Sequence, residues 1–215
     1  MPAGTSYVLA NCFDAIGIPS VLQDDQNGQR ELVARLIAAG HRRIADLTLP
    51  THIVATKLWT AGYLAVLAAA YIAADSALID CADFNSREGQ TQILWGIIDR
   101  ILHLPHPPMA LCCDNDKMAM RVYGILRSRG IKVPDEVSVT GYENYRVISE
   151  TLYPPLTTVE LSYTTIGLGA AQQLMAIISD PVSAQAKESQ APSLRLARSS
   201  GVSRQQNAAP VGLLN

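Results

Sequence analysis

The sequence predicts an α/β fold of parallel strands with helices on both faces. Three observations predict it. Short β-branched or apolar runs alternate with longer stretches of helical periodicity along the chain. The helical stretches are closed by glycine or proline, as at Gly40, Gly130 and Pro181. No internal repeat of helical-array length is present.

Taken in order, residues 6–11 and 18–23 read as strands. Residues 28–39 read as a helix with Leu32, Val33, Leu36 and Ile37 on one face, ended by Gly40. Asp24 and Asp25 are placed to start it, where acids favour the helix dipole. Residues 44–48 are the next strand, 56–71 a helix and 77–80 a short strand. Asn85-Ser86-Arg87-Glu88 has capping-box spacing, and the helix it opens carries Ile93, Leu94, Ile97, Ile98 and Ile101. Pro105, Pro107 and Pro108 break that pattern. Residues 109–113 form an apolar strand, 116–129 a helix closed by Gly130, and 136–141 and 157–161 two further strands. Ile166, Ala170, Leu174 and Ile177 mark a helix that Pro181 stops. The polar stretch 180–190 reads as a loop, 194–197 as a last strand, and the residues from Ser199 as a frayed tail.

Composition narrows the class. The 215 residues allow one or two domains, and 48% apolar with 17% charged residues fits a soluble globular chain. The net charge is −2, and no basic cluster is long enough to track phosphates; His41-Arg42-Arg43 comes nearest. The four cysteines, Cys12, Cys81, Cys112 and Cys113, lack C-x-x-C spacing. Adjacent Cys112 and Cys113 are expected as small buried hydrophobes, and reduced thiols fit the cytosol. Met1-Pro2-Ala3-Gly4 does not open a secretion signal. The apolar segment 61–74 falls short of the roughly 20 residues that span a bilayer, so a buried helix is expected. His41 lacks a ligand-spaced partner, and His103 and His106 flank prolines and read as loop residues, so no metal is expected. No G-x-S-x-G or Walker pattern occurs, and Gly167-Leu168-Gly169 lies inside a helical pattern. Neither catalysis nor a cofactor is expected.

Four stretches carry a resemblance: LVARLIAAGHRRIADL from Leu32, ALCCDNDKMAM from Ala110, RSRGIKVPDEVSVTGYEN from Arg127, and YPPLTTVELSYTTIGLGAAQQL from Tyr153. In order and spacing they resemble the LacI/GalR family of bacterial transcription regulators. The resemblance covers about residues 6–200. It implies a type I periplasmic-binding-protein-like fold: two α/β subdomains joined by crossing strands, with a ligand cleft between them. It also implies a near-complete C-terminal subdomain (26–156 and 191–200), used for effector binding and dimerisation, and a partial N-terminal subdomain (1–25 and 157–180), with 201–215 a flexible tail. The family's helix-turn-helix headpiece has no counterpart here, so DNA contact is expected only through a headpiece absent from this chain. The implied function is effector sensing for transcriptional regulation by a cytoplasmic repressor. The implied partners are a sugar-like or nucleoside-like effector and a second copy, through segments 117–129 and 147–152. The alternative is a stand-alone binder of sugar-like molecules with no role in transcription.

Ligands of such sheets bind beyond the carboxyl ends of the strands, and six effector-binding candidates sit there. Glu143 follows Gly141-Tyr142 where relatives carry Asp; it accepts from ligand hydroxyls or is a solvated loop acid. Asn115 donates to a ligand or caps a helix, with Asp116 the favoured cap. Phe84 matches a ring-stacking aromatic or belongs to the core. Trp59 occupies the place of the family's effector-binding Arg, and either stacks on the ligand or packs inside. Ile53 and Ala55 stand where purine-responsive relatives have polar contacts, which argues for a more apolar ligand or a degenerate site. Asn11 and Gln23 align with strand ends on the cleft side.

Overall fold

Nine strands and six helices are arranged about two sheets in the computed structural model, which describes residues 5–12, 18–82, 90–180, 188–191 and 196–197. Strands β1 (Leu9–Ala10), β2 (Ser20–Gln23) and β8 (Glu188–Ala191) form a small parallel sheet in the order β1-β2-β8. The larger sheet contains β3 (Ile44–Thr48), β4 (Ile79–Cys81), β5 (Ala110–Cys113), β6 (Ser138–Glu143), β7 (Thr157–Glu160) and β9 (Leu196–Ala197), in the order β4-β3-β5-β6-β7-β9. All its pairings are parallel except β7 with β9. The helices are α1 (Asp25–Ala38), α2 (Val54–Ala69), α3 (Gln90–Leu102), α4 (Asp116–Ser128), α5 (Arg146–Ser149) and α6 (Tyr163–Ser179).

The alternation of side chains along β3 and β5 builds a core on each face. Ile44, Ala110 and Cys112 face α1 and α2, where Val33, Leu36, Tyr63 and Leu67 cover them. Ala45, Leu47, Leu111 and Cys113 face α3 and α4, against Leu94, Ile98, Met118 and Leu126. Every residue of β3 and β5 is buried; β5 reads as an unbroken apolar run, whereas β3 carries Asp46 and Thr48 inside. Tyr63 spans its layer and donates its hydroxyl to the Ile44 carbonyl at 2.9 Å. His41 is buried and shares a 3.2 Å contact between its Nε2 and the Ser138 hydroxyl, a structural role that ties the turn after α1 to β6. The small sheet is covered by α6, with Ile166 and Ala170 against Val21.

Several elements differ from the sequence expectation. α1 begins at Asp25 rather than Gly28, because the Asp24 carboxylate accepts from the Asn27 N–H and caps it. The strand expected at 77–80 is a 3₁₀ turn, Ser76–Leu78, followed by β4; Asp75 caps the turn by accepting from the Ala77 N–H. The apolar helix α2 is buried along one face only, and Val54 and Leu64 face solvent. β8 lies in the stretch expected as a loop; its polar sequence is held by backbone pairing with β2. Residues 157–160, expected with the partial N-terminal subdomain, pair with β6 in the larger sheet, and Ala191 pairs in the small one. The capping sequence 85–88, Phe84 and the tail from Ser199 lie outside the described residues.

Candidate functional site

The chain passes from β2 directly into α1, from β7 into α6, and again between β8 and β9. These passages set the carboxyl ends of the two sheets opposite each other across a cleft of about 450 Å³. The small sheet contributes Asn11, Cys12, Leu22 and Gln23. The larger sheet and its helices contribute Asp25, Leu49, Ile53, Val54, Ala55, Leu58, Trp59 and Glu143. The passage after β7 adds Leu161 and Tyr163. That volume falls in the range typical of small-molecule sites.

Trp59 is 5% exposed and forms both core and cleft wall. Its Nε1 donates to the Asp25 carboxylate at 3.1 Å, and its ring lies 4.9 Å from that of Tyr142 at a 49° tilt. The Tyr142 hydroxyl in turn donates to the Asp25 carbonyl at 3.4 Å. Gly28 makes this approach possible, since a Cβ there would meet the Tyr142 hydroxyl oxygen at 2.2 Å. Gly62 likewise lets α2 close on α1, where a Cβ would stand 2.4 Å from the Gln26 carbonyl oxygen. Burial raises the Asp25 carboxyl above the ordinary range, while the Trp59 and Tyr142 hydrogen bonds oppose that rise.

Glu143 and Gln23 face the cleft from opposite sheets. Glu143 has φ +107°, an unusual conformation for a residue with a side chain, and Asn144 follows at +50°. The carbonyl of Glu143 accepts from Leu161 at 3.3 Å, which ties the end of β6 to the passage toward α6. Burial raises the Glu143 carboxyl, and the positive charge of Lys117 pulls it back. Gln23 is 2% exposed, and neither its amide oxygen nor its amide nitrogen has a hydrogen-bond partner among the described residues. Buried polar groups are rarely left so. Asn11, at φ +56°, lines the mouth and donates its backbone N–H to Val21 at 2.8 Å.

Asn115, rather than Asp116, is the N-cap of α4: its side-chain oxygen accepts from the Met118 N–H at 2.8 Å, and it does not line the cleft. Asp116 is turned inward, where it accepts from the Thr158 hydroxyl and the Tyr145 N–H, each at 2.6 Å. Its neighbour Asp114 accepts from the Leu49 N–H at 2.8 Å. The Asp-Asn-Asp turn therefore knits the ends of β3, β5, β6 and β7 beneath the cleft. Of the six candidates, Trp59, Glu143, Asn11 and Gln23 share the cleft, Asn115 stands apart, and Phe84 lies outside the described residues.

Sequence reasoning missed Asp25 and Tyr163 as cleft residues. Asp25 was legible only as a helix-start acid, and Tyr163 carries no local signal beyond following the 157–161 strand. The charged side chains of the lining are both acids, Asp25 and Glu143. No histidine or lysine among the described residues lines it beside Cys12 or Tyr163. Among the described residues, no group of three or more His, Cys, Asp or Glu is placed to hold a metal ion.

Residues 33–200 match the family described as periplasmic binding protein-like domain. The chain belongs to this family. Proteins similar to it include transcriptional repressors and a solved structure described as a putative transcriptional regulator LacI, from Bacillus cereus, 26% identical. The sucrose operon repressor of Escherichia coli is 30% identical over 176 residues, covering 80% of this chain and 52% of that protein. The structure of the transcriptional regulator CelR in complex with cellobiose superposes with a TM-score of 0.78 at 27% identity, covering 93% of this chain and 59% of that one. A LacI family transcriptional regulator from Enterococcus faecium with bound ribose shares the fold, with a TM-score of 0.79 at 21% identity, covering 94% of this chain and 73% of that one. The domain spans about half the length of the curated relatives it matches. No helix among the described residues is long and apolar enough to cross a membrane.

Proposed function

We propose that this domain is the effector-sensing part of a LacI/GalR-type transcription regulator. A small molecule enters the cleft between the two sheets and shifts their closure, and the shift is passed to a DNA-binding partner element. The observation that carries the reading is the cleft itself, set at the carboxyl ends of both sheets and walled by residues from each. It does no chemistry on its ligand. The regulator works in the cytosol as a dimer. Its second copy packs on α4 and the segment after it, where Met120, Tyr145, Val147 and Tyr153 are exposed apolar or aromatic side chains.

The test is a thermal-shift screen of sugars, nucleosides and amines on the purified chain, followed by transcript profiling with and without the gene. A true effector at about a hundred times its Kd adds about 2.7 kcal/mol, or roughly 5–10 °C for a domain of this size. The same compound should change transcription only in cells that carry the gene. A ligand that binds tightly and leaves transcription untouched would instead indicate a stand-alone binding protein.

A further inference from the structure

We propose that the cleft is built for a ligand that carries a positive charge, a protonated amine or amidinium held at Glu143 with its polar edge read by Gln23. The inference rests on the effector-binding reading above and adds the chemical class of the ligand.

Three observations lead to it. First, the cleft is chemically one-sided: its carboxyl groups are Asp25 and Glu143, and no lysine or arginine lines it among the described residues. Lys117 acts on Glu143 from α4 without reaching the lining. An anionic ligand would meet two partly desolvated carboxylates in the lining, whereas a cation would be attracted to both. Second, Tyr163 stands at the same mouth, in the field of both Glu143 and Asp25. An aromatic ring beside a carboxylate is a setting that favours a cation over a neutral group. Third, the Gln23 amide is buried in this cleft, and neither its donor nor its acceptor is used among the described residues. An unpaired buried amide is costly, and a ligand offering an acceptor and a donor would satisfy it. Trp59 adds to the contrast. Its single N–H is already committed to Asp25, so it has nothing to offer a phosphate or carboxylate.

The division of labour follows. Glu143 selects charge, Gln23 reads the polar edge regardless of charge, and the apolar wall of Leu22, Leu49, Ile53 and Leu58 takes the ligand's carbon face.

The experiment measures affinity of the purified chain for two matched series by calorimetry and tryptophan fluorescence. One series is D-glucosamine, D-glucose and D-glucuronate; the other is benzylamine, benzyl alcohol and benzoate. The cation of each series is expected to bind about tenfold more tightly than its neutral counterpart, and the anion to bind weakest. Glu143→Gln should erase the preference for the cation over the neutral member, and Gln23→Ala should weaken the bound members of a series alike. Circular dichroism and melting of both variants establish that they remain folded. If the neutral or anionic member binds as tightly as the cation, the charge inference fails and the effector-binding reading stands. If no member of either series binds at any accessible concentration while a ligand from the wider screen does, and that ligand is uncharged or anionic, the inference fails as well. If nothing binds in either experiment, the effector-binding reading itself is overturned.

Discussion

At the scale of single residues, the cleft floor is held by a few buried polar groups whose energetics are separable. Trp59→Phe keeps the ring against Tyr142 but removes the N–H that the Asp25 carboxylate accepts. Leaving that buried acceptor unpaired should cost about 1–3 kcal/mol in urea unfolding. Asp46 lies in the middle of β3, wholly buried, with one oxygen accepting from the Gln29 amide at 3.4 Å. Desolvation pushes its carboxyl up to about 7, opposed by the Gln29 hydrogen bond. The folded chain therefore holds this proton more tightly than the unfolded chain does. The stability it contributes is complete below the ordinary value near 3.8 and is lost as pH rises through about 7. Asp114 is shifted the same way, by desolvation first and then by the Asp46 charge. Asp46→Asn should raise the Tm at pH 8 and change it little at pH 4, flattening the pH profile. An unchanged profile would mean that water or rearrangement already solvates the acid. At this scale the sequence was only partly readable. Trp59 was open between core and cleft, and it is both. The cap fell to Asn115 because Asp116 is drawn inward by Thr158 and Tyr145, contacts 42 and 29 residues away in sequence.

At the scale of elements, helix starts and close approaches decide the packing. Asn115→Ala should remove the α4 cap at a cost of about 1 kcal/mol, whereas Asn115→Asp should retain most of it. If both variants lose stability equally, the amide has a second task. Gly28→Ala sets two effects against each other. Alanine gains about 1 kcal/mol of helix propensity inside α1, but its Cβ would meet the hydroxyl oxygen of Tyr142. That ring is wedged against Trp59 and cannot retreat without disturbing the cleft wall. Overpacking of this kind costs about 1–3 kcal/mol or more, so net destabilisation is expected in thermal melts. Strong local patterns made most elements legible: β3 runs over the expected residues, with Ile44, Ala45 and Leu47 covered on both faces. β8 was not legible, since Glu188, Ser189, Gln190 and Ala191 have no strand-like alternation and pair through their backbone with β2. The four-residue helix α5 is too short to show a period.

For the molecule as a whole, two surfaces carry the proposed function: the cleft, and the apolar patch near α4 and α5. If that patch joins two copies, sedimentation should show a concentration-dependent dimer, and Val147→Asp should shift it toward monomer without lowering the Tm of the monomer. Val147 is 66% exposed, so the introduced charge costs nothing until a partner covers it. A chain that is monomeric at every concentration would place the interface elsewhere or require a further element of the regulator. Ligand binding and dimerisation are separable here, because no residue lining the cleft belongs to the exposed set on α4.

Periodicity, caps and four motifs in register were enough to establish the succession of strands and helices and the family to which the chain belongs. Those signals are local, written within a helix turn or a strand pair, and they survive without knowledge of what lies across the molecule. Which side chains share the cleft was decided by the tertiary structure alone. Gln23 and Glu143 are 120 residues apart in sequence, and Tyr142 reaches Asp25 only because Gly28 leaves room between α1 and β6. Convergence of this kind depends on where the chain passes between its two sheets, and no local pattern encodes the distance between the ends of separate sheets.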